Sequence, residues 1–456
     1  MSQSKPTKQF LSKVSDFISD HHLLSKDGLH LVALSGGADS VSLLLALKQL
    51  GYRIEAIHCN FHLRGEESDR DEKFCEQLCA QWSIPFHRVH FETRSYADLH
   101  HVSLEMSARE LRYRYFENLR RTLNAEDICV AHHAGDNVET FLLNLLSGTG
   151  LHGLTGIKPL NGNVVRPLLG ITRDEILNFL KENHQGFVND STNLIDDVKR
   201  NKIRLDLLPM MRQVNQASDK NIIRCIGHLS EVEKVYNQVI SQNISDCTIK
   251  DGDPNVSLKI DLKKLTTFTS PSSILFEILS QYRFVPQQIK EIAQHLEDRN
   301  KLWKSKNYEA LIADGQLTIV PNSIFGSVNI VIPEPGKYVF RHGENITEKI
   351  TVTTLPYSPN QLVYDEKLCL IDFDKVHFPL TLRIVKAGDR IIPLGMDHSR
   401  LVNDLLSEKH LNLFQRRRQL VVAQKDGSII WVVNIRIANW CRVTDSSSRL
   451  LSIKVE

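Results

Sequence analysis

In the first 150 residues, apolar positions recur at two spacings in turn. Phe10, Val14, Phe17 and Ile18 lie three and four apart, the spacing of one helical face. Leu29-His30-Leu31-Val32-Ala33-Leu34 is a near-continuous apolar run closed by a glycine-rich turn, which predicts a buried strand. Helical spacing returns over 41–50, 66–82, 104–123 and 134–147, with extended segments at 52–57, 86–91 and 127–131 between them. Strands alternating with helices of this length predict a parallel sheet with helices on its faces. Ligands of such sheets sit beyond the carboxyl ends of the strands, so chemistry is expected in the turns that follow strands.

Further along, 172–184 and 196–244 read as helical, with an interruption near Pro209 and Asn215, and 272–282 and 287–297 follow in the same way. From about 305 the texture changes to short alternating segments such as Leu317-Thr318-Ile319-Val320, separated by Gly, Pro and Asn. The last stretch mixes strands at 380–385, 419–423 and 429–433 with one or two helices between 399 and 415. The expected division is an α/β domain over 1–215, a helical spacer and β connector over 216–375, and a small mixed α/β domain over 376–456.

A chain of 456 residues, 41% hydrophobic, has ample core for several domains and is neither disordered nor a disulfide-stapled miniprotein. Lys+Arg 56 against Asp+Glu 54 gives +2, so any nucleic-acid footprint must be local rather than global. The eight cysteines are scattered through periodic segments, the pattern of free thiols in a reducing compartment. The polar start MSQSKPTKQF carries no apolar signal region, and the apolar stretch at 41–47 is too short to span a bilayer. A cytoplasmic chain with no membrane partner is expected.

Ser35-Gly36-Gly37-Ala38-Asp39-Ser40 stands between the first strand and the next helix. Two glycines let the backbone turn tightly and bring its N–H groups close to an anion. The helix start adds its positive dipole end, and two serines offer hydroxyls to phosphate oxygens. Asp39 suits a Mg²⁺ ion or a loop-closing backbone bond better than a phosphate. No Gly-Lys-Ser/Thr of a Walker A loop is present, so β/γ cleavage under a lysine clamp is not the expected chemistry. After the second strand comes His58-Cys59-Asn60-Phe61-His62-Leu63-Arg64.

On the helix beginning at 104, Leu104, Ala108, Leu111 and Tyr115 form the expected buried stripe, with Glu105, Arg109 and Arg112 on an adjacent face. Two arginines near the ligand edge fit a phosphate or carboxylate; a Glu105–Arg109 salt ladder is the plain alternative. After the fourth strand stands His132-His133-Ala134-Gly135-Asp136-Asn137-Val138-Glu139. Asp136 and Glu139 are spaced as a helix cap and its third-position acid, and equally as two carboxylates able to hold Mg²⁺ or an ammonium group. The two histidines, taken as consecutive strand residues, would point to opposite faces and share no ion. Arg200 and Arg204 lie one helical turn apart and can grip phosphates, or form a solvated basic face. The run Arg416-Arg417-Arg418 suits an RNA backbone, or an ordinary charged surface turn.

The glycine turn resembles the pyrophosphatase loop of the N-type ATP pyrophosphatases, which cleave ATP between its α and β phosphates. The ordered set of that loop, the His58 and Glu105-to-Tyr113 motifs, the His132-to-Thr140 motif, Gly148-Thr149-Gly150, Val165-Arg166-Pro167-Leu168, Asp190-Ser191-Thr192-Asn193 and Arg200-Asn201-Lys202-Ile203-Arg204 resembles the tRNA(Ile)-lysidine synthase family across 29–209. Leu382-Arg383, Gly388-Asp389-Arg390, Pro393-Leu394-Gly395 and the arginine run look like that family's C-terminal domain.

The resemblance implies an adenine nucleotide α-hydrolase-like fold that uses ATP and Mg²⁺. It implies ligation of L-lysine to C2 of the wobble cytidine of the AUA-decoding tRNA(Ile), with its CAU anticodon, through an adenylated cytidine. Lysidine, AMP and pyrophosphate result, and the tRNA changes from AUG to AUA decoding and from Met to Ile identity. By the same resemblance, Ser35, Gly36, Gly37, Ala38, Asp39 and Ser40 would hold ATP, with Asp39, Asp136 and Glu139 catalytic and Asp39 and Asp136 on Mg²⁺. Arg109, Arg112, Asp136, Glu139, Arg200 and Arg204 would bind substrates, Arg416, Arg417 and Arg418 would bind tRNA, and a homodimer is compatible. A tRNA thiolase of the same superfamily is the alternative, but no C-x-x-C occurs. Three departures stand out: Ser147 replaces an expected arginine before Gly148, Asn434 replaces an expected glycine in the Trp431-Val432-Val433 stretch, where a turn would be altered, and the His58 loop is one residue rearranged from the usual His-Gly-Leu-Arg.

Overall fold

The alternating pattern folds as a six-stranded sheet covered by helices. The structure, a computed structural model, describes residues 4–188, 198–341, 343, 347–357, 365 and 367–456. The Asp190-to-Asn193 motif lies outside the described residues. The chain divides into two compact units, residues 1–236 and 237–456.

In the first unit the elements run α1 (Lys5–Asp20), β1 (Leu29–Ala33), α2 (Ala38–Gln49), β2 (Arg53–Asn60), α3 (Glu66–Gln81), β3 (Phe86–His90), α4 (Thr93–His100) and α5 (Leu104–Thr122). They continue with β4 (Asp127–Cys129), α6 (Ala134–Leu146), α7 (Leu151–Leu154), β5 (Leu160–Asn161), β6 (Val164–Val165), α8 (Arg173–Glu182) and α9 (Val198–Lys202). A π-helical turn (Ile203–Leu207) and α10 (Leu208–Val214) follow, and α11 (Ser218–Cys247) begins in this unit and ends in the next. The sheet order is β3-β2-β1-β4-β6-β5, parallel throughout except for the terminal β5–β6 hairpin. The chain builds outward from β1 to β3, then returns to place β4 on the other side of β1. That reversal opens a crevice at the carboxyl ends of β1 and β4, where ligands of such sheets bind.

Helix α2 is apolar on every side, with Val41, Leu43, Leu44, Leu45, Ala46 and Leu47 all buried, so it must be enclosed. Phe10 of α1 and Phe179 of α8 help to enclose it, stacked with ring centroids 4.1 Å apart. Truncating either ring would cost about 3–5 kcal/mol. The opposite face of the sheet packs Leu29, Leu31, Ile57 and Ile128 against Phe116 of α5, with Tyr113, Tyr115 and Leu119 alongside. The stripe expected on α5 is therefore displaced. Phe116 is its buried aromatic, whereas Leu104 in the first turn stays 39% exposed.

The second unit carries a four-stranded antiparallel sheet in the order Leu258–Asp261, Gln316–Pro321, Tyr308–Ala313, Lys301–Lys304, with helices Pro271–Gln281 and Pro286–Gln294 between its strands in sequence. Two further sheets share one core. Asn329–Ile332 pairs with Leu380–Ile384, and Thr347–Pro356 pairs with Arg449–Val455. Segments on both sides of residue 375 thus build one sandwich around the fully buried Trp431. Asn434 has φ +58, the left-handed region that glycine fills most readily and asparagine tolerates. The turn keeps its left-handed residue despite the side chain. Among the described residues no helix is long and apolar enough to cross a membrane.

Candidate functional site

The first wall of the crevice is the turn after β1. The Leu34 N–H donates to Ile57 O (2.8 Å) and carries the ladder past the end of the strand. Gly36 then takes φ +89, which a residue with a Cβ adopts only under strain. An added Cβ would also sit 3.3 Å from Cys75 Sγ. Ser40 closes the turn: its Oγ accepts from the Ser35 N–H at 3.2 Å, donates to Gly37 O at 3.0 Å and lies 3.1 Å from Ser35 Oγ. Helix α2 starts with Gly37 as N-cap and no side-chain cap bond. Its first N–H groups and the positive end of its dipole are therefore directed at the crevice.

The second wall is the start of α6. His133 is the N-cap: its Nδ1 accepts from the Gly135 N–H (3.0 Å), while its own N–H donates to Asp136 Oδ2 (2.9 Å). Asp136 is thus the N3 acid of the capping box, one turn earlier than the expected pairing of Asp136 with Glu139. With Nδ1 accepting, the neutral imidazole carries its proton on Nε2, and Nε2 lies 3.8 Å from Asp39 Oδ1. One histidine therefore stands between the two carboxylates. The strand β4 ends at Cys129, so His132 and His133 follow it instead of alternating within it.

The third wall comes from α9 and the π turn. Glu139, only 3% exposed, accepts from Arg200 Nε at 2.7 Å and from Arg204 Nε and Nη2 at 2.6 and 3.0 Å. Arg200 Nη2 also lies 3.6 Å from Asp136 Oδ1. Glu139 thus fixes two guanidiniums side by side, each still partly exposed, a pair of forks that suits phosphate oxygens. The π turn, an element often found at functional sites, places Arg204 beside Arg200 on this carboxylate.

Around this group, Arg173 at the start of α8 pairs with Asp39. Arg166, buried behind the crevice, donates to His132 Nδ1 (3.3 Å) and Lys158 O (2.8 Å). Burial, then the cations Arg166, Arg200 and Arg109, hold the His132 imidazole down at about 4, against the opposing pull of Asp136. It is neutral at ordinary pH and accepts the arginine bond. Arg109 lies over the Tyr113 ring (5.1 Å) and Arg112 over the Phe61 ring (5.2 Å).

Of the residues expected from sequence, Asp136, Glu139, Arg200 and Arg204 are brought together by direct contacts, and Asp39 is joined to them through His133. Arg109 flanks them near His132, and Arg112 stands apart on Phe61. Arg416, Arg417 and Arg418 lie in the second unit and do not stand free there: Arg417 pairs with Glu309, Arg418 with Asp253, and Arg416 Nε donates to Leu411 O. Arg173 and the bridging role of His133 were not expected. The first is an ordinary basic residue at a helix start, and the second sits beyond the strand to which the pattern assigned it. Asp39 and Asp136 form a pair of hard oxygen donors on facing walls, a donor set that suits Mg²⁺ completed by phosphate oxygens and water.

A glycine turn feeding a helix N-terminus at the switch point of a parallel sheet defines the first unit as a PP-loop domain, and residues 6–211 match the PP-loop domain family. Residues 254–322 match the TilS substrate binding domain and 380–452 the TilS substrate C-terminal domain. The chain is 37% identical to a tRNA(Ile)-lysidine synthase of Parabacteroides distasonis, over 96% of this chain and 98% of that one. It is 38% identical to one from Bacteroides thetaiotaomicron (97% and 99% covered) and 28% identical to one from Bacillus subtilis (93% of each). The chain belongs to the tRNA(Ile)-lysidine synthase family.

Proposed function

We propose that this chain uses ATP to join free L-lysine to C2 of the wobble cytidine of tRNA(Ile) bearing a CAU anticodon, giving lysidine, AMP and pyrophosphate. The observation that carries the reading is the crevice itself: an anion-binding turn faces, across the switch point, two carboxylates and a pair of arginines.

In the first half-reaction the cytosine O2 attacks the α-phosphorus of ATP, and the bond to the β-phosphate oxygen breaks. The N–H groups of 35–40 and the hydroxyls of Ser35 and Ser40 receive the departing pyrophosphate, with Arg200 and Arg204 meeting its charge. Glu139 acts as the positioning anion that aligns both arginines. Asp39 and Asp136 would hold Mg²⁺, which neutralises charge on the α and β oxygens when bound. The His133 N–H holds Asp136 in place through the capping box.

In the second half-reaction the lysine ε-amine attacks C2 and AMP leaves with the C–O bond pair. The proton that the amine gives up goes to the departing phosphate of AMP. Arg109 and Arg112 suit the lysine α-carboxylate. The base must leave the stack to reach these groups. The TilS-like second unit supplies the tRNA surface.

A thiolase would need a thiolate for sulfur transfer. Cys75 and Cys79 are buried on α3; burial pushes the Cys79 thiol up to about 12 and raises Cys75 as well. Both stay protonated, which favours the ligase. The test is AMP formation with tRNA(Ile) transcript plus lysine, glutamine or a sulfur donor. Release that requires lysine is expected; release driven by the sulfur donor alone would overturn the reading.

A further inference from the structure

The arginine run that sequence places on RNA is engaged inside the second unit. Helix Leu413–Arg418 is closed by a reciprocal cap, Gln415 N–H to Asn412 Oδ1 (3.0 Å) and Asn412 N–H to Gln415 Oε1 (2.9 Å). It leads into strand Leu420–Gln424, a central strand of the C-terminal sandwich. Its Phe414 is instead buried among Leu311, Ala313, Val320 and Ile324 of the preceding four-stranded sheet region. One turn on, Arg417 lies over the Phe325 ring at 3.6 Å and donates both Nη groups to Glu309, one at 3.3 Å. Glu309 is 3% exposed and also takes Lys304 Nζ at 2.9 Å. Arg418 reaches Asp253 Oδ2 at 3.1 Å.

We propose that Arg417, with Glu309 and Phe325, is a positioning residue that bolts the sheet of residues 258–321 to the C-terminal sandwich, so that tRNA meets one preassembled surface. The proposal rests on the reading that this unit holds tRNA. Removing Arg417 leaves the buried Glu309 with Lys304 alone and breaks its tie to the helix Leu413–Arg418, so the carboxylate and the helix lose their common register. Direct RNA contact makes the opposite demand on Glu309. Removing an anion from an RNA-binding surface strengthens binding or leaves it alone; removing it from a bolt weakens binding.

The experiment uses the full chain with Arg417→Met, Arg417→Lys, Glu309→Gln and the Met/Gln double variant, scored by melting without tRNA and by KM for tRNA and for ATP. Expected are a rise of about tenfold in KM for tRNA for both single neutralisations and KM for ATP within about twofold. The double variant should be no worse than the poorer single, since the cycle removes both charges together. Arg417→Lys should recover part of the loss. Glu309→Gln that tightens tRNA binding, or a double variant that loses the sum of the two singles, overturns the bolt. Coupled melting with an unchanged KM for tRNA in every variant keeps the ion-pair coupling but overturns the parent reading, that this unit holds tRNA, and the proposal with it.

Discussion

Glu139→Gln is the substitution that most sharply separates an organising carboxylate from a bystander. The wild-type side chain is 3% exposed and takes three arginine hydrogen bonds of 2.6–3.0 Å. Removing one partner of a fully buried ion pair costs about 3–5 kcal/mol. The Arg200 and Arg204 side chains retain 31% and 38% of their exposure, so water recovers part of that loss and about 2–3 kcal/mol is expected. For a unit of this size that is a fall of about 5–10 °C in melting temperature. The two arginines also lose their register on the phosphates, and a misplacement of about 1 Å costs roughly 100-fold in turnover. Because their charge is no longer offset, added pyrophosphate should raise the melting temperature of the variant more than that of the parent. Differential scanning fluorimetry with and without pyrophosphate, beside an AMP-release assay, reads all three. A variant that melts within about 1 °C of the parent and keeps its turnover would refute the reasoning.

Other expectations follow from single features. Gly36→Ala forces a Cβ into φ +89 and toward Cys75 Sγ; a loss of about 1–2 kcal/mol in stability and weaker ATP uptake by calorimetry are expected, and unchanged uptake would contradict the turn's role. His132 is held at about 4 by burial and nearby arginines, below its unfolded value of about 6.5. The unfolded chain therefore binds the extra proton within that window, and stability falls as pH drops through it, by up to about 3 kcal/mol. His132→Gln should flatten the difference between melts at pH 7 and pH 4.5; an equal difference would show that another group carries it. Asn434→Gly should be tolerated, whereas Asn434→Val at φ +58 should cost about 1–2 kcal/mol in denaturant titrations.

Much of the catalytic unit was legible because its signals are local. The run from Leu29 to Leu34, the glycine turn and the all-apolar α2 each follow from spacing or backbone requirements within a few residues. The capping box at α6 was legible as a motif but misplaced by one turn, because a histidine rather than an aspartate serves as the cap. Contacts between distant segments were not legible. Arg173 meets Asp39 across 134 residues of sequence, and Arg417 meets Glu309 across 108; periodicity carries no record of either. The arginine run looked like a surface patch because charge patterning cannot see a buried Glu309 waiting for it. Asn434 looked like a broken turn because a missing glycine hides the fact that asparagine also tolerates the left-handed region.

The proposed chemistry depends on where a nucleoside triphosphate lands, and a crystal structure of the full chain with α,β-methylene-ATP tests that most directly. The polyphosphate is predicted to lie against the N–H groups of Gly37 and Ala38 and the hydroxyls of Ser35 and Ser40, within reach of Arg200 and Arg204. Ordered density for the nucleotide at any other place, with the 35–40 turn left bare, would contradict it.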